Sequence, residues 1–132
     1  MKTVYDITTD VYGIIKGSAL HAAINGKLCK AERDLDSRSE DITISVLSNM
    51  NGQTQSALVK VKIYVRDVYA DGRYITDTKR IKELSRLAAD LFDVYNSHNG
   101  FRVTLESQTV LFFENNKEHM IYNELLYKNN NE

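Results

Sequence analysis

Along residues 57–67, apolar and polar side chains change places at almost every step. Val59, Val61, Ile63 and Val65 fall on one side of an extended backbone, with Lys60, Lys62, Tyr64 and Arg66 on the other, because successive side chains of a strand point to opposite faces. Four β-branched residues in that rhythm suit a pleated surface with one dry face. The segment is predicted as a central antiparallel strand. A solvated face is the plain reading of its cationic side, and a docking row is the functional one.

The pattern extends outward from this strand. Val4, Ile7, Val11, Ile14 and Ile15 recur at helical spacing, which predicts an amphipathic helix over residues 3–16. Ser18 caps a short helical segment over 19–24, closed by Asn25 and Gly26. Residues 27–33 make a weakly alternating first strand. Ile42, Ile44 and Val46 form a second, which a turn-rich bridge over 48–56, centred on Asn51-Gly52, joins to the central strand. Residues 34–40 are polar and predicted as a surface loop. Residues 68–75 are predicted as an irregular loop hanging off the sheet.

Thr76 or Asp77 caps the main helix, whose stripe runs through Ile81, Leu84, Leu87, Ala88 and Leu91 to Val94 or Tyr95, with Asn99-Gly100 as its close. Phe101, Val103 and Leu105 alternate, and Val110, Leu111, Phe112 and Phe113 follow out of phase. A bulge or turn near 107–109 would account for that change, and either Val110 with Phe112 or Leu111 with Phe113 faces inward. After a turn at 115–118, residues 119–127 make the last strand. The expected fold is α+β, a mostly antiparallel sheet of four to five strands packed against two main helices. The expected order is helix, short helix, three strands, helix, two strands. One domain over 1–128 is followed by a frayed polar tail at 129–132.

Composition narrows the function classes. A chain of 132 residues with 42% hydrophobic and 27% charged residues has room for one core and reads as soluble and globular. A net charge of -1 argues against a protein that works mainly by neutralising phosphates. The row of Lys60, Lys62 and Arg66, with Tyr64 as a stacking ring, still admits a small nucleic-acid-binding module. The single cysteine, Cys29, excludes an intrachain disulfide and fits a reducing compartment. No apolar run is long enough to span a membrane, and the N-terminus has no secretion-signal pattern. An intracellular protein without membrane contact is expected.

Catalytic signals are weak. His21, His98 and His119 are far apart and lack a metal-ligand spacing. The glycines match neither a phosphate-cradling loop nor a dinucleotide fingerprint. The loop acids, such as Asp34 with Asp36 or Asp67 with Asp71, offer no acid and base with opposed environments. The expectation is no enzyme, no metal and no cofactor. An assembly subunit, in which polar loops dock on neighbours, is the remaining class.

The order of elements carries a resemblance. A helix over 4–15, a short segment before Asn25-Gly26-Lys27, the stretch Arg33-Asp34-Leu35-Asp36-Ser37-Arg38-Ser39-Glu40-Asp41-Ile42 and the strand Val61-Lys62-Ile63-Tyr64-Val65 together resemble the tail-completion or tail-terminator proteins of tailed bacteriophages. The likeness is nearest to versions from phages and prophages of Bacteroides-type hosts. It implies a virion subunit, assembled in the host cytoplasm, that forms a ring with copies of itself, typically a hexamer. Such a ring caps the tail tube and joins it to the head or neck connector. A neck or head-completion ring protein is the alternative in the same class. By the same analogy Asp34, Asp36, Arg38, Glu40, Asn51, Gln53, Gln55, Tyr69, Asp71, Arg73 and Tyr74 are contact candidates. Lys60, Lys62 and Arg66 would line the lumen that DNA passes through.

Overall fold

The computed structural model describes residues 1–96 and 100–130. Its helices are α1 (Val4–Ile15), α2 (Ala19–Ala23) and α3 (Thr78–Phe92). Its strands are β1 (Leu28–Cys29), β2 (Ile42–Met50), β3 (Thr54–Arg66), β4 (Val68–Ala70), β5 (Arg73–Ile75), β6 (Val94–Asn96), β7 (Phe101–Phe113) and β8 (Glu118–Asn130). His98 and Asn99, and positions 131 and 132 of the expected tail, lie outside the described residues.

Thr3 starts α1 through a capping box: its hydroxyl accepts from the Asp6 N–H at 3.2 Å while the Asp6 carboxylate accepts from the Thr3 N–H at 2.8 Å. Two otherwise unpaired donors are thereby satisfied. Ile7, Val11, Ile14 and Ile15 of α1 are buried, as are Leu84, Ala88 and Phe92 of α3. Both stripes close on one face of the sheet, where Val59, Val61, Ile63 and Val65 are all buried.

The expected sheet of four to five antiparallel strands on two helices is corrected. Six strands form one mixed sheet in the order β1-β2-β3-β8-β7-β6, a separate two-stranded sheet is made by β4 and β5, and the described residues hold three α-helices and a short 3-10 turn at Glu114–Asn116. The parallel strand is β1, which meets β2 only at Ile42 and Thr43. It keeps two of the seven residues expected of the first strand. The expected loop over 68–75 is the β4–β5 hairpin. Its turn residues Asp71 and Gly72 both have positive φ, 53° and 78°, as a tight mirror-image turn requires.

The last two strands are long. β7 and β8 pair from Phe101↔Asn129 to Phe113↔Glu118, with one register shift between Leu105 and Ser107. The phase change is therefore a bulge at Glu106 within a continuous strand. It places Val110 opposite Ile121 and Phe112 opposite His119, on the helix side of the sheet. Both alternative pairs remain exposed nevertheless, at 43% for Val110, 41% for Leu111, 53% for Phe112 and 38% for Phe113. The last strand continues past 127, and Asn129 is buried.

Because Ile63 is wholly enclosed, Ile63→Ala is expected to destabilise the fold by about 2–5 kcal/mol. A urea titration checks this, and an unchanged midpoint would contradict the packing.

Candidate interaction surface

Two buried acids fix the geometry around the start of β2. Asn25 and Glu40 exchange hydrogen bonds: the Asn25 N–H donates to Glu40 Oε1 at 3.1 Å, and the Glu40 N–H donates to Asn25 Oδ1 at 2.8 Å. The Lys27 N–H donates to Asp41 Oδ1 at 2.8 Å. A Cβ on Gly26 would lie 2.5 Å from the Glu40 carbonyl oxygen, so only glycine allows this approach. Each carboxylate then takes an arginine. Arg80 of α3 reaches both Glu40 oxygens at 2.6 Å and also the Ala23 carbonyl. Arg33 reaches Asp41 Oδ2 at 2.9 Å, Glu118 at 3.1 Å and the Ser39 carbonyl at 2.7 Å, and lies 4.0 Å above the Tyr64 ring.

The electrostatics follow from this packing. Burial alone would raise the Asp41 pKa, but hydrogen bonds from Ser37, the Lys27 N–H and Arg33 outweigh it and hold the carboxyl below its usual range. Glu40, through its hydrogen bonds, pushes the Arg80 guanidinium up. Burial raises the Cys29 thiol, which makes a poor nucleophile at neutral pH.

Against this frame the expected contact residues separate. Glu40 and Gln55 are buried with internal partners, which corrects their assignment to exposed loops. Gln55 accepts from the Lys2 N–H at 3.0 Å and donates to the Lys2 carbonyl and to Asn49 Oδ1, both at 2.6 Å, so it anchors the chain start to β3. Asp34 pairs with Lys27 at 3.1 Å on the surface, and Asp36 and Arg38 are exposed. Asn51 and Gln53 lie at the β2–β3 turn, at the opposite end of β3 from Arg66. Tyr69, Asp71, Arg73 and Tyr74 share the β4–β5 hairpin, where the two tyrosine rings meet edge to face at 5.1 Å.

Lys60, Lys62 and Arg66 do share one sheet face, with the Lys60 ammonium 5.8 Å from the Tyr122 ring. Tyr64 lies under Arg33, so it is not an open stacking platform for a base. That occupancy weighs against the nucleic-acid module.

The contact candidates Tyr69 and Tyr74 have neighbours that sequence reasoning missed, at the end of the sheet where Arg66 meets Glu118 and Phe113. β6 pairs with β7 only at Arg102, Val103 and Thr104, which leaves 105–113 with an open edge. A two-stranded arm made by β4 and β5 projects nearby with Val68, Tyr69, Tyr74 and Ile75 exposed. Its root is tied to the β7–β8 end: the Asp67 N–H donates to the Lys117 carbonyl at 2.9 Å, and Asp67 Oδ1 meets His119 Nδ1 at 2.8 Å. Phe112 stacks on His119 at 4.7 Å. Across the sheet, a groove of about 790 Å³ runs between α1, the loop at 30–35 and the β2 edge. The out-of-phase apolar run at 110–113 was the available signal for this surface.

Among the described residues no group of three or more His, Cys, Asp or Glu is placed to hold a metal ion, and no helix is long and apolar enough to cross a membrane. No protein-family model matches the chain, and no curated protein matches it. The geometry offers docking edges and charged rims, with its deepest ionic groups committed to internal pairs.

Two outcomes are expected. Arg33→Ala strands the Asp41 and Glu118 carboxylates, whose side chains are each only 4% exposed, and is expected to lose about 3–5 kcal/mol in chemical denaturation. A change no larger than that of an exposed pair would contradict the clamp. Asp41 binds its proton less readily folded than unfolded, so its contribution is present above 3.8 and lost as pH falls below that value. Unfolding midpoints measured across that range should fall in the wild type, and Asp41→Asn should flatten the fall. An equal slope in both would contradict the assignment.

Proposed function

We propose that this chain is a structural virion subunit, a tail-completion or tail-terminator protein that forms a ring, caps the tail tube and joins it to the head connector. The observation that carries the reading is the apolar run Val110, Leu111, Phe112 and Phe113, exposed along an uncovered strand edge. Soluble sheets blunt such edges with charge, proline or cover, whereas residues 108–113 carry neither a charged side chain nor a proline. Exposed apolar side chains on both faces of one edge strand suit a protein partner. The β4–β5 arm supports the same reading, since an isolated two-stranded hairpin is marginal in water and gains by docking.

In this role the ring buries its apolar edges between subunits and turns its polar loops to the tube and the connector. Lys60, Lys62 and Arg66 belong to one face, which suits a lumen that DNA crosses. Light scattering and negative-stain imaging of the chain, alone and co-expressed with a tail tube protein and connector, test the proposal. Rings of uniform size, or rings seated on tube ends, are the expected result. A strict monomer under all of these conditions would contradict it.

A further inference from the structure

The ring reading leaves open which surfaces meet, and the two ends of the sheet answer that differently from its projecting arm. β1 covers β2 only at Ile42 and Thr43, so β2 is an open edge from residue 44 onward. At the far end of the same sheet β7 is open from 105 to 113. β2 is antiparallel to β3, β3 to β8, and β8 to β7, so β7 runs antiparallel to β2. A second copy in the same orientation therefore presents its β2 antiparallel to β7; because Val110 is level with Ile42 through Ile121 and Ile63, that copy is displaced along the strands so that 110–113 clear β1 and meet the open part of β2. No strand needs to reverse.

The side chains fit the same arrangement. The groove of about 790 Å³ beside β2 has two walls, with Val4, Tyr5 and Thr8 of α1 on the helix side and Leu35 with Tyr64 on the other. Leu35 and Tyr5 are 97% and 81% exposed, an apolar lining without a cover. A strand that enters such a slot needs apolar residues on both of its faces. The end of β7 has them: Val110 and Phe112 lie on the helix side, while Leu111 and Phe113 lie on the opposite side. The rim of the groove is of mixed charge, with Lys30, Glu32 and Asp34 on its loop wall, so the fit rests on strand polarity and apolar side chains.

We propose that the β7 end of one copy, residues 107–113, adds as an edge strand to β2 in the groove of the next copy. This rests on the ring reading above and names its subunit interface. The contact is heterologous, because the donated edge and the receiving groove are different surfaces. Repetition of such a contact yields a closed ring when its rotation closes, and a filament otherwise. Main-chain hydrogen bonds supply the ladder and the alternating side chains its selectivity, as in other strand additions.

Cysteine cross-linking separates the possibilities. In a Cys29→Ser background, the chain carrying both Tyr5→Cys and Phe112→Cys is expected to oxidise into a ladder of species beyond the dimer. An equal mixture of the two single variants should stop at the dimer, and neither single variant alone should cross-link. A dimer from Phe112→Cys alone, or cross-linking of Tyr5→Cys to Tyr69→Cys in preference, would overturn the assignment in favour of a tip-to-tip contact or the β4–β5 arm. If wild-type rings form while the double variant yields no ladder, this interface is wrong and the ring reading stands. If nothing assembles, both fail. As a second measure, Leu111→Lys with Phe113→Lys should keep the wild-type circular dichroism and weaken self-association by about tenfold or more, the scale of losing a central apolar anchor. Unaltered self-association of the folded variant would overturn the proposal.

Discussion

Glu40 and Asp41 are neighbouring carboxylates at the entrance to β2, and each is gripped by an arginine from a different part of the chain. Buried charges are tolerated only when their partners are held in place, so this double grip dictates where four segments must go. The Asn25-Gly26 turn folds over the acids, α3 begins where Arg80 reaches Glu40, the loop around Arg33 crosses the edge of the sheet, and Glu118 starts β8. The Arg33 fork, with its planar face on Tyr64, suits this better than a lysine would, because one guanidinium serves several acceptors and a ring together.

That arrangement has a consequence for the surface. The loop carried by Arg33 forms one wall of the groove along β2, and α1 forms the other. The outer wall is thus rigidly placed by ion pairs, while the inner wall is placed by the buried stripe of Ile7, Val11, Ile14 and Ile15. At the opposite edge, β7 outruns the strand beside it: β6 pairs only with its first residues, and Gln108 donates to the Ser85 carbonyl of α3. Among the described residues, the apolar side chains beyond that point are only partly covered, Phe112 by the His119 ring, and Val110, Leu111, Phe112 and Phe113 stay exposed. A sheet with one walled edge and one bare apolar edge is asymmetric in the way that head-to-tail assembly requires.

Much of the interior was legible in the order of residues. Val59, Val61, Ile63 and Val65 alternate without interruption and are all buried; Ser18 caps α2 as read, Asp77 is the one of the two candidates that caps α3, and the cap at Thr3 is added by the structure. Short elements escaped because two or three residues carry no measurable period: β1, β4, β5 and β6 are all of that length. The Asp71-Gly72 pair was a strong hairpin signal that lacked alternating flanks. Burial of Glu40 and Gln55 was illegible for a different reason. Their partners, Arg80 and Lys2, are 40 and 53 positions away, and polar residues announce burial only through such distant satisfaction. The edge at 110–113 was visible as a phase change, yet its exposure depends on where β6 and α3 end.

The central claim is that the uncovered edge of β7 is built to be covered by another copy. Amide hydrogen exchange, followed residue by residue as protein concentration rises, tests it most directly. The account predicts that protection grows with concentration at residues 107–113 and at 44–46, while the enclosed amides of β3 stay protected throughout. Exchange at 107–113 that remains fast and independent of concentration in an assembled sample would contradict it.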